Sequence, residues 1–269
     1  MSAIQLTYRH AQDLRPLYLK HTRVEDLAFQ VRQQLLDADA LALPLAVLAG
    51  ITALRVNGLT FNLCVDTEHV VHDEQDQPVL GVCEFDPGLE DTALISVAPA
   101  SAVGSAGLVL STLAHELGHA CFEVPHWVYQ AQQGPDLCAA PESGSKVYRS
   151  QTRDPDHLMR PNAAATAEMF AELRANEFMG SLLVPRLQLR VAAQAYAPQL
   201  GINVHTVPAL WPEIQAQDVR FMPAADAPFA GVSLMSLYQQ LGLLFGVSAR
   251  FIEVRMQHYG FVADSNLTH

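Results

Sequence analysis

Charge is scarce in this 269-residue chain. Only 16% of its residues are charged, against a usual share of about 25%. The deficit falls on the basic side: 16 Lys plus Arg face 28 Asp plus Glu, a formal net charge of −12. An acidic chain is a poor partner for phosphate backbones or anionic lipid surfaces, which disfavours nucleic-acid binding by the chain as a whole. The start, MSAIQLTYRH, carries no apolar leader, so a cytosolic protein is expected. Membrane spans are missing as well. The uncharged stretch 92–114 has the length to cross a bilayer, but Pro99, Gly104, Gly107 and several serines break it. The four cysteines, Cys64, Cys83, Cys121 and Cys138, share no C-x-x-C spacing, which argues against a cysteine-built zinc site or a redox pair. They read as reduced thiols. Apolar residues are abundant at 50%, enough for a packed core and incompatible with disorder.

Periodicity organises the chain. Residues 24–37 carry an apolar stripe at Val24, Leu27, Ala28, Val31, Leu35 and Leu36, the spacing of one helix face. Residues 44–54 read as a second, more buried helix ended by Asn57-Gly58. The period then shortens, and 59–65, 78–85 and 92–97 read as strands bounded by turn residues. A helix follows over 105–123 with Ser105 as its cap. Residues 125–162 hold five prolines and read as a long loop, a lid or a specificity element between two helices. Helix returns over 164–183, then at 233–244 and 249–258, after an irregular stretch 198–228. This order predicts an α+β chain with a small mixed or antiparallel sheet packed with helices. Two parts are expected: a core over 1–200 and a C-terminal helical subdomain over 201–269 packed on it.

The predicted helix 105–123 contains His115-Glu116-Leu117-Gly118-His119, an H-E-x-x-H motif. Histidines four residues apart share a helix face, so both imidazoles can reach one Zn²⁺. Glu116, beside the first ligand, is placed to act as general base toward water. A third protein ligand is required. A histidine in the pattern H-E-x-x-H-x-x-G-x-x-H fails, because Phe122 and Pro125 occupy the glycine and histidine positions. The alternative is a glutamate on the 164–183 helix, which offers Glu168, Glu172 and Glu177. Glu168, Glu172 and Asn176 share one face, and an amide one turn from a ligand carboxylate suits the orientation of a ligand side chain. For an oxyanion donor, His126, Tyr129, Tyr148, His157 and His205 are all chemically able.

At these residues the chain resembles the ImmA/IrrE family of zinc-dependent metallopeptidases. The resemblance rests on His115-Glu116-Leu117-Gly118-His119, on Glu172-Leu173-Arg174-Ala175-Asn176-Glu177-Phe178 followed by Leu182-Leu183-Val184-Pro185, and on Phe245-Gly246-Val247-Ser248 with Arg255 and Gly260. It spans roughly residues 24–261. It implies a zincin-like, gluzincin-type fold with His115, His119 and Glu172 as zinc ligands and Glu116 as catalytic base. Met179 and Val184 depart from the family pattern, and the stretch between His119 and Glu172 is unusually long. Family members cleave DNA-binding repressors to derepress stress-response or mobile-element genes, so the resemblance implies a site-specific endopeptidase with a helix-turn-helix-type repressor as partner. A general zinc peptidase and a contact regulator of transcription are the rival expectations. The second rival draws on residues 239–259, two short helices around a glycine turn, but its local cations are only Arg250 and Arg255, offset by Glu253. An extended substrate is expected to add as a strand along an exposed sheet edge at 92–97.

Overall fold

A computed structural model describes residues 3–72, 76–86, 88–89, 91–133, 146–150, 167–207, 218–223 and 230–262. The chain divides into two compact units, Met1–Leu182 and Leu183–His269. In chain order the first unit contains β1 (Ile4–Leu6), α1 (His21–Leu35), α2 (Leu45–Ala49), β2 (Ala53–Val56), β3 (Leu59–Asp66), β4 (Val71–His72), β5 (Pro78–Val79), β6 (Gly81–Phe85), β7 (Thr92–Val97), α3 (Ala100–Val103), α4 (Ala106–Phe122), α5 (Val124–Gln133), β8 (Lys146–Ser150) and α6 (Ala167–Leu183), whose last residue crosses the boundary.

Six strands form a mixed sheet in the order β1-β2-β3-β7-β6-β8. β1 with β2 and β3 with β7 run parallel; β2 with β3, β6 with β7 and β6 with β8 run antiparallel. The period-2 pattern sets one face inward: Leu54 and Val56, Phe61 and Leu63, and Ala93, Ile95 and Val97 are all buried. α1, α4 and α5 cover the sheet. Together they make the α+β fold that the pattern predicted.

Several expectations are corrected. Residues 44–54 are not one helix: α2 stops at Ala49, and 53–56 form β2. Asn57 and Gly58 both have positive φ, 52° and 88°, the two-residue turn that reverses β2 into β3 rather than a helix end. Residues 78–85 split into β5, which pairs with β4, and β6, which joins the main sheet. The 92–97 segment is not an edge: β7 lies between β3 and β6 in the sheet interior, which ends the idea of substrate pairing there. Nor is 125–162 wholly loop. α5 buries Trp127 and Val128, with Pro125 in its first turn, where a missing N–H costs nothing, and 146–150 form β8. The rest of that stretch lies outside the described residues.

The second unit starts at Leu183 rather than at 201, and it is not purely helical. It contains α7 (Arg186–Tyr196), a 3₁₀ turn (Ala197–Leu200), β9 (Ile202–Val207) paired antiparallel with β10 (Asp218–Pro223), α8 (Ala230–Phe245) and α9 (Ala249–His258). α8 and α9 meet at 104°. Gly242 permits the bend, since a Cβ there would lie 2.8 Å from the Val247 carbonyl oxygen. Among the described residues no single helix is long and apolar enough to cross a membrane.

Candidate metal centre

The centre is built on α4. Ser105 caps the helix by accepting a hydrogen bond from the Leu108 N–H at 3.3 Å, which satisfies an otherwise orphaned donor. From Thr112 to Phe122 every residue is buried. Burial of side chains such as Leu113, Leu117 and Phe122 contributes roughly 1.5–3 kcal/mol each. That offsets the cost of carrying His115, Glu116, His119 and, at the cap, Glu123 into the interior. Buried titratable groups persist only with partners, and α6 supplies them. Gly118 faces Ala175 so closely that a Cβ at 118 would sit 3.0 Å from the Ala175 Cα. Phe122 and Phe178 meet edge to face at 5.7 Å. The Arg32 guanidinium, buried on α1, donates to the Leu182 carbonyl at 2.8 Å and so fixes the far end of α6.

This approach brings three donors together. The Nε2 atoms of His115 and His119 are 3.1 Å apart. Glu172 presents one oxygen to each, at 3.4 Å from His115 and 3.2 Å from His119. The donor set fits a small cation. A tetrahedron with ligand bonds of ~2.1 Å has edges of about 3.4 Å, and two imidazole nitrogens with a carboxylate are borderline ligands of the kind zinc takes. Of the other glutamates on α6, Glu168 is exposed and the buried Glu177 accepts from the Ser181 hydroxyl at 2.9 Å.

The far nitrogens are held as well. His115 Nδ1–H donates to Asn176 Oδ1 at 3.2 Å, and His119 Nδ1–H donates to Glu123 Oε2 at 3.3 Å. Arg174 pairs with the other Glu123 oxygen. Both Nε2 atoms are thereby left to ligate. Sequence reasoning named Asn176 but missed Glu123 and Arg174. The available signal was the i, i+4 spacing of His119 and Glu123, easily read as a helix-end acid.

Electrostatics follow this geometry. Burial would depress the His119 imidazole, but Glu123 and Glu172 overcome it and push its pKa up to about 10. Burial would raise Glu172, yet the two imidazoles hold it down to about 2. Glu116 is fully buried, near enough to help raise His119. A Cβ on Gly81 of β6 would lie 3.2 Å from Glu116 Oε1, so the carboxylate rests against the sheet.

The oxyanion candidates separate. His126 is engaged by the Asp13 carbonyl at 2.7 Å, His205 is exposed on β9 of the second unit, and His157 lies outside the described residues. Cys83 and Cys121 are buried free thiols and Cys64 is exposed; Cys138 lies outside the described residues. No family model matches the chain, and comparison with curated proteins and with solved structures found no match.

Proposed function

We propose that the protein is a zinc-dependent endopeptidase. The observation that carries the reading is the convergence of His115, His119 and Glu172 on one point, with Glu116 buried on the same helix. Zinc held there would supply Lewis-acid polarisation of a peptide carbonyl. Asn176 and Glu123 engage the two imidazoles at Nδ1 and fix their orientation, so that each would present Nε2 to the metal. Glu116 takes the proton of the attacking water and returns it to the departing amine, the general acid–base role that a buried carboxylate beside the ligands fits.

For the substrate, the ImmA/IrrE-like residue pattern and the net charge point to a helix-turn-helix-type repressor, whose cleavage would derepress stress-response or mobile-element genes. Opposite charge steers an acidic enzyme and a basic DNA-binding partner together. Regulation by direct contact with DNA finds less support. Arg255 is buried and donates to the Tyr259 hydroxyl, and Arg250 is paired with Glu253 at 2.9 Å.

The test is incubation of zinc-loaded protein with a repressor encoded beside its gene, and in parallel with casein, at two salt concentrations. The expected result is one cut in the repressor, slower at high salt, with little loss of casein. Comparable turnover of casein would favour a general peptidase.

A further inference from the structure

With β7 in the interior, the sheet's outer strands on this side are β6 and, beyond it, β8. β8 has β6 as its one sheet partner among the described residues, antiparallel, with Phe85 opposite Lys146, Cys83 opposite Tyr148 and Gly81 opposite Ser150. Gly81 is the residue whose missing side chain makes room for the Glu116 carboxylate and for Thr112, whose Cγ2 a Cβ would meet at 2.6 Å. The register therefore ends β8 beside the catalytic base. α4 lies against β7, β6 and β8 alike, so whatever backbone pairs with β6 runs past the helix that carries the motif.

A five-residue strand paired on one side is marginal by itself. β8 is joined to α5 and α6 through residues 134–145 and 151–166, twelve residues on one side and sixteen on the other. Without β8, the Gly81–Phe85 edge would present unpaired N–H and C=O groups, the template to which an extended peptide adds.

We propose that the Gly81–Phe85 edge is the docking edge for an extended segment of a protein substrate, and that the chain's own Lys146–Ser150 strand occupies it as an intrachain competitor. The docking half rests on the peptidase reading. Because β8 belongs to the same chain, it competes as an intramolecular strand, whose effective concentration does not fall as the protein is diluted. Loose generic peptides then fail to displace it, whereas a segment with better pairing, or one delivered by a partner docked elsewhere, gains the edge. Selectivity thus arises at the backbone level, where zinc and a glutamate base offer none.

Proline at both Val147 and Tyr148 tests this in the full chain. Adjacent strand residues point their N–H groups to opposite sides, so the pair removes the β6-facing donor whichever residue carries it. The probe is a fluorescein-labelled synthetic peptide of residues 145–151. The double variant should exchange the β8-facing amides of Gly81–Phe85 about tenfold faster than wild type, as loss of a cross-strand hydrogen bond implies. It should also bind the peptide at least about tenfold tighter, because the tethered competitor is gone. Equal exchange, or peptide binding no tighter than wild type, would overturn the proposal.

A second variant covers misfolding of the first. Tyr148→Cys places a thiol opposite the native Cys83 at cross-strand spacing compatible with a disulfide. Oxidation should lock β8, abolish peptide binding and leave it recoverable on reduction; failure to form the crosslink would contradict the register. Cleavage of the repressor encoded beside the gene separates the two readings. If exchange and peptide binding behave as expected but no form cuts the repressor, the competitor stands and the peptidase reading loses. If wild type cuts the repressor but the proline variant shows unchanged exchange and peptide binding, the competitor falls and the peptidase stands.

Discussion

Gly118→Ala is a one-carbon test of how the metal centre is assembled. The added Cβ would meet Ala175 at 3.0 Å from its Cα and 3.3 Å from its Cβ and carbonyl oxygen. These are atoms of the α6 backbone turn that joins Glu172 to Asn176, so no rotamer change relieves them. α6 must move away by about half an ångström for ordinary contact. Overpacking of this kind costs roughly 1–3 kcal/mol, while alanine gains ~1 kcal/mol over glycine inside a helix. The metal-free protein should therefore lose at most about 2 kcal/mol, a few degrees in Tm. Zinc is less forgiving, since functional ligand distances hold to about 0.2 Å and the two histidines and the glutamate sit on the two helices being separated. The expected result is a loss of zinc affinity of about tenfold or more, measured by competition with a chromophoric chelator, and a smaller zinc-induced rise in Tm than in wild type. A Gly118→Ala protein that binds zinc as tightly as wild type would refute the account of α4–α6 contact as the determinant of the site.

Three further perturbations separate ligand, partner and proton. Glu172→Ala should cost more than about 100-fold in zinc affinity, whereas Glu168→Ala, exposed on the same helix, should stay within about twofold; the reverse order in a chelator competition would shift the ligand register by one turn. Glu123→Gln should weaken zinc by about 10–100-fold, because the imidazole of His119 loses its anionic acceptor and Arg174 its partner; unchanged affinity would make Glu123 a mere helix-end acid. The metal-free protein should be most stable between about pH 4.5 and 6.5. His119, raised from 6.5 to about 10, contributes fully below 6.5 and loses its contribution as pH rises toward 10. Glu172, lowered from 4.5 to about 2, contributes fully above 4.5 and loses its contribution as pH falls toward 2. Thermal melts of metal-free protein showing greater stability at pH 9 than at pH 6 would contradict the pairing.

What could be read in advance was local. His115 and His119 announce themselves because helical spacing and a shared face follow from chain geometry, and Ser105 marks the helix start. Glu172 and Asn176 needed the residue pattern around them, since any helix of this composition offers several glutamates. Sheet order was not legible. β7 is an alternating aliphatic strand like those of many edges, and only the pairing of β6 and β3 on its two sides makes it internal. β1 and β2 are three and four residues long, too short for periodicity to register. Asn57-Gly58 signals a turn in any context, and only the pairing of Val56 with Leu59 shows that it reverses a strand and does not end a helix. Arg32, Glu123 and Arg174 carry no signal of their own, because a single sequence does not say which charged residues the fold buries and pairs.

The most direct test of the central claim is a survey of new protein N-termini by mass spectrometry, after zinc-loaded wild type and zinc-loaded Glu116→Gln are each incubated with the soluble proteins of the source cell. Metal analysis of the same samples should give one zinc per chain in both proteins, because Glu116 is assigned the base and not a ligand. Wild type should leave a new terminus at one bond of one DNA-binding repressor, and Glu116→Gln should leave none. Identical termini from the two proteins, or a Glu116→Gln protein that no longer holds zinc, would contradict the claim.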